Sequence, residues 1–145
     1  MFICNHCPYV KAVIDDVVKE AAMLAGEGVA AVAVMPNDTA AYPADLLRQH
    51  EGALRSERGF GFPYLIDRTQ AVARSYGAVC TPDFFGFDKD LKLQYRGRLY
   101  EMAAGLKPKP GARHELLEAM RQIAKTGTAP EDQTPSMGCS IKWRA

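Results

Sequence analysis

Cys4-Asn5-His6-Cys7 is the part of this chain whose residue types and spacing most directly imply chemistry. Two thiols separated by two residues can close a small, reversible disulfide. Pro8 and a helical pattern follow at once, which puts the pair at a strand-to-helix junction. The unpaired N–H groups at a helix N-terminus carry partial positive charge and stabilise a thiolate on the first sulfur. A thiolate attacks other disulfides, so the motif points to thiol–disulfide redox chemistry. The same spacing also occurs in zinc knuckles, so the context has to decide.

The whole-chain numbers fit one soluble domain. The 145 residues suffice to bury a core without covalent staples. With 18 basic and 17 acidic residues, nothing in the charge selects nucleic acid or an anionic membrane as partner. No apolar run is long enough to span a bilayer, and the first residues lack the features of a secretory signal. Four cysteines, two of them isolated, do not make a disulfide framework. That usage suits a reducing compartment, so a cytoplasmic location is expected.

The elements that must position the pair follow from periodicity. Val10, Val13, Ile14, Val17, Val18, Ala21 and Leu24 recur at helical spacing from Pro8 to Ala25, and Gly26 and Gly28 end the helix. Val29 to Met35 reads as a buried parallel strand, broken by Pro36-Asn37-Asp38. A polar helical stretch is expected from Pro43 to Arg58, a strand over Phe62 to Ile66, and a short helix over Thr69 to Tyr76 closed by Gly77. Asp83 to Phe87 and Leu91 to Arg96 flank Asp88-Lys89-Asp90 as a β-hairpin. Residues 99–110 read as a loop and Ala112 to Lys125 as a final helix burying Leu116, Leu117, Met120 and Ile123. The domain then spans residues 1–126, and 127–145 form a C-terminal tail packed on it. The order is a parallel βαβ followed by an antiparallel ββα, an α/β class.

Cys4-Asn5-His6-Cys7-Pro8-Tyr9, Cys80-Thr81-Pro82-Asp83-Phe84-Phe85 and Gly138-Cys139-Ser140-Ile141-Lys142-Trp143 together resemble the redoxin, or peroxiredoxin-like (AhpC/TSA-related), branch of the thioredoxin superfamily. The resemblance covers nearly the whole chain, with an insertion between Met35 and Phe62. It implies a thioredoxin-like fold with Cys4 as the exposed nucleophile and Cys7 as the thiol that resolves the mixed disulfide. His6, just before the second cysteine, would stabilise reduced Cys4 and make the pair more oxidising; the alternative is a solvent-facing side chain of little effect. Thr81-Pro82 resembles the superfamily's cis-proline loop, which lies beside the disulfide and offers backbone hydrogen bonds to an extended substrate. An ordinary trans-proline at a strand's start is the alternative.

Cys80 and Cys139 are candidate accessory thiols. Cys80 is read first as a small buried hydrophobe. Cys139 either resolves an oxidised Cys4 or anchors the tail with Ile141 and Trp143, and the anchor is preferred. Asp67, Asp83 and Asp88 read as turn and capping residues, His50 and His114 as solvated, and Met23, Met35 and Met120 as core.

The sequence departs from the family in three ways. Ile3 stands where thioredoxins carry a Trp, and the buried acid upstream has no counterpart position. Neither Cys4 nor Cys7 has the threonine three residues earlier that orients peroxide in peroxiredoxins. Met1-Phe2-Ile3 supply only the end of the central strand, which reads as an N-terminal truncation; an open strand edge could be paired by a second copy of the chain, giving a homo-oligomer.

The expected function is a thiol–disulfide oxidoreductase acting on protein or small-molecule disulfides, reset by a reductase or glutathione, with no cofactor and no metal. Thiol peroxidase activity at Cys4, with Cys7 or Cys139 resolving, is one alternative. A copper or zinc protein using Cys4, Cys7 and a histidine, or Cys80 and Cys139 as further ligands, is the other.

Overall fold

The computed structural model describes residues 1–46 and 58–145. Its elements in chain order are α1 (Pro8–Gly26), β1 (Ala33–Met35), a 3-10 turn (Pro43–Asp45), β2 (Tyr64–Ile66), α2 (Ala71–Tyr76), β3 (Cys80–Thr81), β4 (Phe84–Phe87), β5 (Leu93–Gly97), β6 (Met102–Ala103), β7 (Lys107–Pro108), α3 (Glu115–Thr126) and β8 (Cys139–Ser140). The architecture is the expected mixed α/β, thioredoxin-like arrangement. Among the described residues, no helix is long and apolar enough to cross a membrane.

The first three residues occupy the middle of the strand array. Phe2 bridges Val34 in parallel and Asp83 antiparallel. Ile3 N–H donates to Val34 O at 3.0 Å, and Phe2 N–H to Asp83 O at 2.9 Å. On one side β1 continues in parallel to β2; on the other, β4 and β5 form the antiparallel hairpin. The short segment therefore delivers Cys4 from a position paired on both sides.

One face of α1 (Val10, Val13, Ile14, Val17, Ala21) packs on Ile3, Ala33, Met35, Phe60, Phe62 and Phe84. Each such aliphatic or aromatic side chain contributes about 1.5–3 kcal/mol relative to exposure, so this face fixes the helix against the strands. Pro8 sits in the first turn of α1, where its missing N–H costs nothing. A second cluster joins Phe2, Ala73, Ala78 and Ile141, and a third sets Tyr95 against Ala119 and Ile123 of α3.

Several expectations are corrected. Val29 to Val32 are not strand: Val29 N–H caps α1 through Leu24 O, and only Ala33–Met35 pair. Residues 99–110 are not purely loop, since β6 and β7 pair across a turn in which Gly105 and Leu106 adopt positive φ of 76° and 57°. Met23 is 38 % exposed; two positions after Ala21, it lies about 200° round the helix from the buried face. Trp143 is exposed, with the Arg74 guanidinium over its ring at 4.4 Å, so Ile141 alone of that pair enters the core. His114 is bonded to the buried Glu20 instead of solvent alone, Nδ1 to Oε1 at 2.5 Å. The expected helix from Pro43 begins as a single 3-10 turn; its residues 47–57, with His50, lie outside the described residues.

Candidate active site

Cys7 is the residue that caps α1. Its backbone is extended (φ −67°, ψ 124°), its carbonyl accepts from Lys11 N–H at 3.0 Å, and no acidic residue occupies the first helical turn. No acidic side chain of the helix itself thus competes with sulfur for its positive end.

The loop at Thr81-Pro82, whose peptide bond is cis, lies against both sulfurs of the pair. Cys4 Sγ shares a hydrogen bond with Thr81 Oγ1 at 3.2 Å, and Cys7 Sγ lies 3.3 Å from the Thr81 carbonyl. Thr81 pairs in turn with Cys139 in the antiparallel β3–β8 ladder. That register brings Cys139 Sγ to 2.8 Å from Cys7 Sγ. Cys139 is half-buried; its sulfur neighbour is Cys7.

Cys4 and Cys7 are 2 % and 0 % exposed, so the first cysteine is not the exposed thiol the resemblance implied. All four cysteines are free thiols. Their ionisation is set by mutual hydrogen bonds. The Cys4 thiol donates to Cys7, which pushes the Cys4 proton affinity up, and burial adds to this; the Thr81 hydroxyl opposes it. Cys7 is held down to about 4, chiefly by the Cys4 hydrogen bond and further by one from Cys139, against the cost of its burial. Burial, then the neighbouring Cys7, pushes Cys139 up to about 11. The Cys4–Cys7 hydrogen bond therefore favours a negative charge on Cys7 over one on Cys4. Moving the shared proton from Cys4 to Cys7 would place that charge on Cys4, where Thr81 Oγ1–H can donate.

The turn holding the pair is organised by Asp45, which sequence reasoning did not single out. Asp45 has no solvent exposure. Its Oδ1 accepts from the backbone N–H groups of Asn5 (2.8 Å) and His6 (3.3 Å). Its Oδ2 lies 2.7 Å from His6 Nδ1 and accepts from Asn37 Nδ2 at 2.8 Å. Tyr64 O–H donates to Asn5 Oδ1 at 2.9 Å, and the His6 ring stacks on Tyr42 at 5.7 Å. His6 is thus part of a polar network. Asp45 lies within a polar stretch whose only local signal is Pro43 at a turn's start, and nothing there encodes contact 40 residues away.

Cys80 points elsewhere. Its Sγ lies 3.5 Å from Pro82 O and 3.8 Å from Ser136 O, and burial pushes its thiol up to about 11. Asp67 caps α2 through Ala73 N–H at 2.8 Å, and Asp88 holds the hairpin turn through Asp90 and Lys92 N–H. Asp83 is buried against Arg96 (3.3 Å) and so is more than a turn residue. Among the described residues, ligand atoms of Cys4, His6 and Asp45 gather within 4.8 Å and offer the donor types a zinc or copper ion takes. Both Asp45 oxygens already accept hydrogen bonds from named donors, so a metal would have to displace that network.

Comparison with known proteins places this site in a family context. The model of the AhpC/TSA family matches residues 1–96. The chain is similar to the solved structure of a hypothetical protein from Sinorhizobium meliloti, with 39 % identity over 99 % of this chain and 78 % of that one, at a TM-score of 0.89. It is also similar to an uncharacterized conserved protein from Geobacillus kaustophilus, with 43 % identity over 99 % of this chain and 75 % of that one, at a TM-score of 0.88. No curated protein matches it.

Proposed function

The chain belongs to the AhpC/TSA family, whose chemistry is thiol-based redox, and from that premise we propose that it is a thiol–disulfide oxidoreductase using Cys4 and Cys7 as its redox pair. The observation that carries this reading is the contact of Thr81 with both sulfurs at the N-terminus of α1. The Cys4 thiolate, formed by proton transfer to Cys7, attacks one sulfur of a substrate disulfide. The other substrate sulfur leaves as a thiolate and takes up a proton. Cys7 then attacks the Cys4 sulfur, releasing the second substrate thiol and closing the Cys4–Cys7 disulfide. A reductase or glutathione returns two electrons to the pair.

The test is a redox titration in glutathione buffers, read by thiol trapping and mass spectrometry. A single two-electron transition between roughly −270 and −120 mV is expected, the low end marking a reductant and the high end an oxidant. Absence of any Cys4–Cys7 disulfide across that range, in wild type and in Cys139→Ser alike, defeats the reading. Cys4→Ser should abolish turnover, and Cys7→Ser should accumulate mixed disulfides.

Peroxide reduction at Cys4 is a second reading, favoured by one arrangement. Thr81 Oγ1, 3.2 Å from Cys4 Sγ, supplies from across the fold a hydroxyl that the sequence around Cys4 lacks. A cavity of about 20 Å³ bounded by Ile3, Asn5, Val10 and Tyr64 adjoins the same cysteine, room for a molecule about the size of water. Consumption of hydrogen peroxide in the absence of any protein disulfide, lost in Cys4→Ser, would favour this second reading over the first.

A further inference from the structure

We propose that Cys139 is a third redox thiol, which exchanges with the Cys4–Cys7 disulfide to form Cys7–Cys139 and frees Cys4 while the protein is still oxidised. The proposal rests on the oxidoreductase reading and adds a route by which electrons enter the site.

The placement of the Cys139 sulfur is fixed from both sides of the chain. Thr81 pairs with Cys139 and Cys80 with Ser140. Beyond the strand, Ile141 N–H donates to Val79 O at 3.2 Å, Lys142 N–H to Asn37 Oδ1 at 2.9 Å, and Arg144 N–H to Gln70 Oε1 at 2.8 Å. Before it, Ser136 Oγ donates to Pro82 O at 2.6 Å. Gly138 lies so close to the loop that a Cβ there would overlap the Thr81 carbonyl, so only glycine permits the approach. A cysteine that merely anchored the tail would need to bury its side chain anywhere in the core. This one sets its sulfur 2.8 Å from that of Cys7, while Ile141 supplies the apolar anchor.

Exposure gives the arrangement a direction. Cys4 and Cys7 are buried, whereas Cys139 is half-buried, so an external thiol reaches Cys139 more readily. In the exchange step the Cys139 thiolate attacks the Cys7 sulfur of the Cys4–Cys7 disulfide. The Cys7–Cys139 bond forms, the Cys4–Cys7 bond breaks, and Cys4 leaves as a thiolate that takes up the proton Cys139 gave to solvent. No electrons are gained or lost. In the second step a thiolate of the reductant, glutathione or a dithiol protein, attacks the Cys139 sulfur and Cys7 leaves. A second reductant thiol then displaces Cys139, so two reductant thiols become one disulfide as Cys7 and Cys139 become thiols. Cys7, held to about 4, is the better leaving group of the two.

Tryptic peptides separate the two disulfides: Cys4–Cys7 lies within residues 1–11, while Cys7–Cys139 joins residues 1–11 to 126–142. Full-length Cys4→Ser protein, wild type and Cys139→Ser protein are oxidised with glutathione disulfide, acid-quenched and alkylated, with circular dichroism confirming the fold of each. In Cys4→Ser the cross-linked peptide pair should exceed glutathionylated Cys7 by at least about tenfold, as sulfurs held in contact react with a high effective molarity. Oxidised wild type should show the same cross-link with Cys4 open to alkylation, so the proposal does not depend on Cys4→Ser folding. Glutathionylated Cys7 with reduced Cys139 in Cys4→Ser, or wild type holding only the disulfide within residues 1–11, overturns it. If Cys139→Ser meanwhile forms Cys4–Cys7, the oxidoreductase reading survives that failure; if it forms none, that reading fails and takes the relay with it.

Discussion

His6 Nδ1 lies 2.7 Å from Asp45 Oδ2, joining a half-buried ring within the redox motif to a carboxylate wholly removed from solvent. The same carboxylate receives the Asn5 and His6 amides, so the loop between the cysteines is folded around it.

Removing that acceptor should therefore cost stability. Asp45→Ala leaves the buried Asn5 N–H and Asn37 amide without their partner, at about 2 kcal/mol or more. Asp45→Asn keeps an acceptor oxygen and should cost less. Its charge also pushes the Cys4 proton affinity up, behind the Cys7 hydrogen bond and burial, so Asp45→Asn should lower the pH at which Cys4 ionises. Urea unfolding and thiolate titration check the two effects; an Asp45→Ala protein as stable as wild type would show the network to be idle.

The Cys7 thiolate should be visible as absorbance at the thiolate band with a midpoint near pH 4, missing in Cys7→Ser. Because the Cys4 hydrogen bond is the larger cause and Cys139 a further one, Cys4→Ala should raise the midpoint more than Cys139→Ala. Linkage fixes the sign. A thiol moved from 9.0 down to about 4 contributes stability that is present above pH 9 and lost as pH falls through 4. Wild type should thus gain on Cys7→Ser between those limits, in urea midpoints measured across the range. Cys4, shifted upward, acts with the opposite sign only above pH 9.0.

Glu20 gives a second pH dependence, away from the site. Burial raises its carboxyl above 4.5, His114 only partly offsets this, and Oε2 has no hydrogen-bond partner among the described residues. Stability contributed by the protonated form is present below pH 4.5 and lost as pH rises through the raised value. Glu20→Gln should flatten that part of the profile. Melting temperatures of the two proteins that fall in parallel above pH 4.5 would count against it.

Gly138→Ala tests the close approach of the tail to the loop. The added methyl meets Thr81 O and C, both backbone, so it cannot be accommodated by side-chain rotation. A loss of about 1–3 kcal/mol is expected from the overpacking. Displacing the strand also separates Cys139 from Cys7, which should raise the Cys139 alkylation rate. Unchanged stability and an unchanged rate would mean the approach is looser than drawn.

What was legible in the sequence was local. The α1 face from Val10 to Leu24, the Asp88 turn and the Gly77 stop at α2 each declare themselves within a few residues. The cis Thr81–Pro82 loop came from the resemblance, since composition does not distinguish a cis from a trans proline. Asp45 and the Cys7–Cys139 contact were not legible, because both depend on segments brought together across 40 and 132 positions. Met23 departs from the core expectation because its angle on the helix, and not its apolar type, sets its exposure.

The β3–β8 ladder has a colloidal consequence. Cys80–Thr81 would otherwise be a bare strand edge, with Phe2, Ala73 and Ala78 losing the cover of Ile141 beside it. Residues 127–145 are therefore a seal on the sheet. A chain ended at Thr126 would offer adhesive backbone and apolar surface together, the combination from which precipitates grow.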